Sequence, residues 1–297
     1  MQFRLSKSLV VLSFAFQATL IAQNSTTVSP FENLVYQTSF TQTGKMDLDG
    51  ANGDLSFSII EASATRSRPM QILGGISVLP SLSYELTQLN FDSAVPLNNE
   101  DLHSTALQAI FIKNFEQSRW QAFGWTRAEL ASDYQGIASE DFTFDLAAGA
   151  GYQFNDQLMV GFGLVAINLN GDDAIFPGLT INWTPCDHFS LNLFGPNFTA
   201  KYVLSDNWHL TLTGQPGGGE WNIRDNLGQS RTLDLDSYLV GLNTNHRISG
   251  DLWFNAGLGF TVANEIAVRG NRGGAADYVR DLDGAPYAQV GLTLKSW

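Results

Sequence analysis

Asp141-Phe-Thr-Phe-Asp-Leu-Ala-Ala-Gly-Ala-Gly-Tyr-Gln-Phe154 repeats with a period of two. Its even positions are Phe142, Phe144, Leu146, Ala148, Ala150, Tyr152 and Phe154. Its odd positions are Asp141, Thr143, Asp145, Ala147, Gly149, Gly151 and Gln153. Alternate side chains of a strand point to opposite faces, so one face is apolar and the other small or polar. The apolar face carries aromatics at both ends, which is what the two interfaces of a membrane select. Thirteen steps of ~3.3 Å give ~43 Å. Tilted by ~45°, such a strand rises ~30 Å, close to the apolar band of a membrane barrel.

The pattern recurs outward from this stretch. Leu252, Phe254, Ala256, Leu258, Phe260 and Val262 face one way, and Trp253, Asn255, Gly257, Gly259 and Thr261 the other. Trp208, Leu210 and Leu212 alternate with His209, Thr211 and Thr213. Tight connections (Asn155-Asp156, Pro185-Cys186-Asp187, Ser205-Asp206-Asn207, Ser249-Gly250) interleave with longer ones near 42–53, 92–102, 131–140, 216–230 and 269–284. Short turns on one side and longer loops on the other are the barrel arrangement. The strands are predicted at 33–41, 54–65, 70–91, 103–114, 118–131, 141–154, 157–168, 174–184, 188–194, 197–204, 207–216, 231–247, 251–267 and 285–297. The segment 70–91 is long and contains Pro80, which predicts a bulge or bend there. The pair around Gly195-Pro196 is short and reads either as two strands or as an excursion. The fold class is therefore all-β, a transmembrane antiparallel up-and-down β-barrel of about 12–14 strands.

The N-terminus reads as an export signal. Arg4 and Lys7 form a basic flank, Ser8 to Ala22 is uncharged and mostly apolar, and Leu20-Ile21-Ala22 can be a cleavage site. A buried helix of the mature fold is the alternative. The predicted organisation is a signal peptide at 1–22, an N-terminal segment with the first strand at 23–53, and the barrel at 54–297. No later stretch approaches the ~20 continuous apolar residues of a membrane helix. A membrane protein of this sequence must then be a closed sheet, because only helices and closed barrels satisfy every backbone hydrogen bond in lipid.

The 297 residues carry a formal charge of -13, and loss of Arg4 and Lys7 takes the mature chain two units lower, to about -15. Such acidity argues against nucleic acid as a partner. The single cysteine, Cys186, excludes an intramolecular disulfide and a cysteine-rich zinc site.

Leu130-Ala-Ser-Asp-Tyr-Gln-Gly-Ile-Ala-Ser-Glu-Asp-Phe-Thr-Phe144, Asn207-Trp208 and Gly218-Gly219-Glu220 resemble an uncharacterised family of outer-membrane β-barrels, known as a domain of unknown function. The resemblance extends loosely over 54–297 and implies fold and location, with no activity attached. Trp297 provides the aromatic end usual in such barrels. It is out of phase with Ala288, Val290, Leu292 and Leu294; either a bulge near Lys295-Ser296 reconciles the two or the assembly signal is weak.

Candidate chemistry is sparse. The histidines are His103, His188, His209 and His246, and a hydrolase needs a nucleophile beside one of them. His103 and Ser104 point to opposite faces of a strand. His188 and Ser190 share a face without an evident third member. No catalytic residue, metal site or cofactor is predicted. Charges within strands say more. Arg127 and Glu129 share a face with Phe123 and Trp125, Asp234 with Asp236, and Lys201 with Thr199. A Lys or Arg on the lipid face costs ~2–4 kcal/mol at the midplane, so these residues are assigned to the lumen or rim. There they form either a selectivity lining or a paired structural network in a plugged lumen.

The function expected is an outer-membrane barrel acting as a narrow channel or transporter for small solutes or lipids. The alternatives are a non-conducting structural or anchoring barrel, an outer-membrane hydrolase, and a secreted soluble β-sandwich. The partners expected are membrane lipid and the barrel-assembly machinery; the oligomeric state stays open. On cell fractionation the mature protein, beginning at Gln23, is expected in the outer membrane and resistant to carbonate extraction. Recovery as a soluble species would contradict the barrel.

Overall fold

The computed structural model describes residues 34–50, 53–66, 68–91, 100–169, 172–224, 229–270 and 276–295. The export signal expected at 1–22 lies outside the described residues. The described strands are β1 (Leu34–Thr43), β2 (Met46–Asp47), β3 (Asp54–Arg66), β4 (Met70–Ile72), β5 (Ile76–Phe91) and β6 (Glu100–Asn114). They continue with β7 (Trp120–Ser132), β8 (Phe142–Asn155), β9 (Leu158–Leu169), β10 (Asp172–Cys186), β11 (Phe189–Phe194) and β12 (Asn197–Ser205). The last five are β13 (Trp208–Arg224), β14 (Ser230–Ser249), β15 (Leu252–Arg269), β16 (Ala276–Leu282) and β17 (Pro286–Lys295).

All belong to one sheet. β1 pairs with β3 on one side and β17 on the other, and this closes the wall. The short β2, β4 and β16 extend neighbouring strands, so the seventeen described strands make a wall of fourteen. Every pairing in the wall is antiparallel. The β11–β12 hairpin around Gly195-Pro196 belongs to the wall. That settles the count at fourteen.

Alternation places the apolar residues outward. Phe142, Phe144 and Leu146 are exposed, whereas Asp145 and Ala147 are buried. Leu258 is 71% exposed, Leu107 61% and Phe162 61%. A belt of aliphatic residues runs round the outside. Toward the turn end it is bounded by aromatics in edge contact, Trp120 on Tyr152 and Tyr152 on Phe154, each at 5.1 Å. One closed sheet with its apolar side chains outward is the inverse of a soluble sandwich, and it excludes that reading.

The structure corrects the sequence reading in three places. The stretch 216–230, read as a long loop, is mostly strand, because β13 stays paired with β14 from Trp208 to Arg224. The stretch 269–284 contains β16, paired with β15. The segment 70–91 breaks at Leu73–Gly75, where Gly74 and Gly75 have φ of 75° and 67°. Pro80 introduces no register shift with β6, and it falls between the β4 pairing, which ends at Val78, and the β3 pairing, which starts at Ser81. A residue without an N–H is tolerated at that change of partner. The bulge expected near Lys295-Ser296 is untested: the register of β17 is unbroken to Val35↔Lys295, and Ser296 and Trp297 lie outside the described residues.

At the loop end the sheet closes a second time, around fewer strands. β13 leaves β12 after Gly214 and reaches β7, pairing in parallel at Asn222↔Ser132. Gly218, at φ of 87°, makes the turn possible; a Cβ there would meet the Leu235 carbonyl oxygen at 2.0 Å. Asp133 N–H donates to Asn222 O at 3.2 Å, and Asn222 Nδ2 donates to Asp141 Oδ1 at 2.5 Å. On the other flank Leu48↔Leu282 joins β2 to β16. The resulting ring runs β13-β14-β15-β16-β2-β3-β5-β6-β7. Its interior is a dry core that includes Met46, Leu55, Phe57, Leu102, Trp221, Leu233, Leu235 and Ile266, each no more than 1% exposed. The wide barrel is thus roofed, at its loop end, by a narrower barrel filled with apolar side chains.

Leu146→Arg is expected to destabilise the barrel refolded in lipid by about 2–4 kcal/mol, and Thr143→Arg by much less. Urea titration in vesicles measures both, and the reverse ranking would show the faces exchanged.

Candidate functional site

Below the roof the strands enclose a cavity of about 810 Å³. The parity that puts Ile60 and Leu82 outside puts Glu61, Glu85 and Ser104 inside. Register brings these into one row, with Ser39 opposite Glu61, Glu61 opposite Glu85, and Glu85 opposite Ser104. Ser39 Oγ donates to Glu61 Oε2 at 3.5 Å, and Thr87 Oγ1 donates to Glu85 Oε1 at 3.0 Å. Like charges directly opposite each other on a sheet oppose folding. Two facing carboxylates are therefore a feature that stability does not explain.

The counter-charge stands on β7. Arg127 Nη2 donates to Glu129 Oε1 at 2.5 Å, and Ser104 Oγ donates to the same oxygen. The two charged side chains are 11% and 14% exposed. Register sets Arg127 between Gln108 on β6 and Asp145 on β8. Gln108 is 7% exposed, and its Oε1 has no hydrogen-bond partner among the described residues.

A second acidic group lies under the roof. Glu220 faces Asp234, and Asp236 faces Glu265. Arg269 Nη2 lies 3.6 Å from Asp234 Oδ2, with both side chains buried. One part of the chamber is apolar instead. Ile110, Ile167 and Phe198 line it. Trp125, Ala147 and Val165 pack with Phe176 and Phe194 beside them.

Of the residues singled out in the sequence, Arg127, Glu129, Lys201 and Asp234 line this chamber, and Asp236 lies next to it. Arg127 and Glu129 form one ion pair; Asp234 and Asp236 belong to the group under the roof. Lys201 stands apart on β12, opposite Ser190 and Thr211. Sequence reasoning passed over Glu61, Glu85, Glu220 and Arg269. The first two were detectable by the argument used for Arg127, since each is a charged residue inside a predicted strand. Glu220 was hidden by the loop assignment of its strand.

The histidines are dispersed. His103 Nδ1 lies 2.8 Å from Tyr84 Oη, and its ring stacks on Tyr134 at 4.6 Å. His188 lies in the turn before β11. His209 is inside against Trp253, and His246 is exposed. Among the described residues no three His, Cys, Asp or Glu side chains are grouped to hold a metal ion.

Fold and chamber together define a closed fourteen-strand β-barrel with an apolar exterior and a charged interior. The chain belongs to the family described as "Domain of unknown function (DUF6268)", matched over residues 32–295. No curated protein matches it. It is similar to the COG4313 outer membrane channel from Pseudomonas putida F1, at 8% identity and a TM-score of 0.48, covering 91% of this chain and 100% of that one. A FadL homologue of Pseudomonas aeruginosa aligns at 10% identity and a TM-score of 0.42, covering 89% of each chain. The KdgM porin in complex with disordered oligogalacturonate aligns at 9% identity and a TM-score of 0.32, covering 87% of this chain and 98% of that one.

Opposite effects are expected at the carboxylate row. Arg127→Met strands Glu129 in a buried setting and should cost about 3 kcal/mol. Glu85→Gln removes a like-charge contact and should leave stability unchanged or raise it by under about 1 kcal/mol. Urea midpoints of the two variants in lipid check this.

Proposed function

We propose that this protein is an outer-membrane transport barrel that admits small solutes and favours cations. The observation that carries the reading is the composition of the chamber wall. Its acidic residues are Glu61, Glu85, Glu129, Asp145, Asp187, Glu220 and Asp234, and its basic ones are Arg66, Arg68, Arg127 and Lys201. Seven against four leaves a formal charge of -3. A cavity with walls of one dominant sign focuses its field and concentrates counter-ions. Rings of Asp or Glu favour cation passage for the same reason. The export signal expected from the sequence and the apolar belt support the outer membrane, with the short turns in the periplasm and the roof outside. The dispersed histidines favour transport over catalysis.

A second reading, a barrel that does not conduct, draws on the roof. An apolar core across the mouth blocks an axial water path.

Planar-bilayer recording of the refolded protein tests both. In a salt gradient the wild type is expected to show a reversal potential of cation preference. Asp234→Lys combined with Asp236→Lys should move it toward anions. Silence in the bilayer would favour the structural barrel. Conductance with unchanged selectivity in the double variant would place these two residues off the path.

A further inference from the structure

We propose that the chamber wall from β12 to β17 is a carbohydrate-binding surface, and that the solute it receives is a sugar of one or two rings. The proposal rests on the reading of the chamber as a solute site and adds the chemical class of the solute.

The wall is built from two unlike arcs. Most of the charged residues that line the chamber lie on β3 to β8, and Glu220 and Asp234 lie under the roof. On the arc from β10 to β17 below the roof, the charged lining residues are Asp187 and Lys201. Neutral amides and hydroxyls dominate that arc, and they repeat one bond three times. Asn243 Nδ2 donates to Thr213 Oγ1 at 3.1 Å, Asn245 Nδ2 to Thr211 Oγ1 at 3.1 Å, and Asn255 Nδ2 to Thr293 Oγ1 at 3.0 Å. Each bond fixes an amide to the neighbouring strand by its nitrogen, and Oδ1 accepts from no other described side chain. Thr211 and Thr293 receive these bonds and keep their own O–H to donate. Gly257 makes room for the arrangement, since Asn243 Oδ1 stands where a Cβ of residue 257 would be. Amides held in place before a ligand arrives lose little freedom when it binds.

Such a surface is complementary to hydroxyl groups. A hydroxyl donates one bond and accepts up to two, so it is satisfied where an acceptor and a donor stand side by side. Register supplies that arrangement, with Asn245 opposite Asn255 and Asn243 opposite Thr211. Directly opposite side chains stand ~5 Å apart and alternate residues of one strand ~6.6 Å apart, spacings of the order of one sugar ring. Trp253 supplies the apolar contact. It lines the chamber opposite Thr293 and shares a face of β15 with Asn255. The face of an indole is the negative pole of its quadrupole, so it attracts the C–H bonds of a sugar ring and covers them from water. His209, opposite Asn245, packs against Trp253 at 5.1 Å and supports the ring. Trp253 follows the turn that starts β15, which puts it at the chamber end away from the roof. The cavity of about 810 Å³ falls within the ~300–1,000 Å³ of sites that enclose small molecules. Its formal charge of -3 turns away acidic sugars.

Calorimetric titration of the full mature protein, refolded in detergent micelles, tests the surface separately from conduction. The probes are cellobiose, maltose and lactose, with tetraethylene glycol as a flexible chain that has no ring and no ring hydroxyls. At least one of the disaccharides should bind, and tetraethylene glycol should not. Trp253→Ala should weaken sugar binding about tenfold through the lost ring contact. Asn245→Leu combined with Asn255→Leu should weaken it about tenfold by removing two acceptors. Heat-modifiable migration confirms that each variant folds, and Asn255→Ala alone replaces the pair if the pair does not. No binding of any disaccharide by the folded wild type would overturn the proposal, as would unchanged affinity in the folded variants. Tetraethylene glycol bound as tightly as the sugars would mean an unselective cavity and overturn it too. Planar-bilayer recording separates this outcome from the transport reading. A conducting protein that binds no sugar loses the carbohydrate surface and keeps the transport reading. Sugar binding that is weakened in both variants of a silent protein supports the surface and removes the transport.

Discussion

Inside a bilayer a backbone N–H or C=O has no water to turn to, so each must find a partner within the protein. No helix among the described residues is long and apolar enough to cross a membrane, so that requirement is met by a sheet without edges. The pairing of β1 with β17 meets it, and much else follows. Alternate residues of each closed strand face lipid, which puts Phe144, Leu146 and Leu258 outside and Asp145 and Arg127 inside. Strands long enough to span the band need tight turns at one end, and Gly, Asn and Asp supply them.

Only the part of the sheet in lipid is bound by that rule. Above the band the strands are free to leave one partner for another. β13 does so, helped by the left-handed backbone of Gly218, and crosses to β7. The narrower ring has room only for its own side chains. Trp221, Leu233 and Ile266 fill it and exclude water. A wide barrel with an apolar roof is a chamber before it is a pore, and β8 to β12 are the strands left outside the roof ring.

The chamber holds charge that stability alone does not favour. Glu61 and Glu85 face each other across two strands, and the guanidinium of Arg127 is committed to Glu129. Similar like-charge pairs, Glu220 with Asp234 and Asp236 with Glu265, sit beneath the roof around Arg269. Two separate acidic groups at different heights in one lumen give the interior a consistent sign, in a chain whose formal charge is -13.

The sequence by itself determined the sheet, its inside and outside, and most strand positions. These depend on a two-residue period and on local turn chemistry, both of which are written in neighbouring residues, as in Phe142 to Phe154. The same period sent Arg127 and Glu129 to the interior. It was equally able to send Glu61 and Glu85 there, but nothing local says that β3 and β5 pair in the register that sets them opposite. The roof was decided only by the tertiary structure. Pro216-Gly217-Gly218-Gly219 has a loop's composition, and it became strand because β14 offered seventeen residues of continuous partners. Leaving β12 for β7 depends on contacts such as Asn222 with Asp141, 81 residues apart. A local pattern carries no record of so distant a partner, because the pairing energy is settled only when the barrel closes.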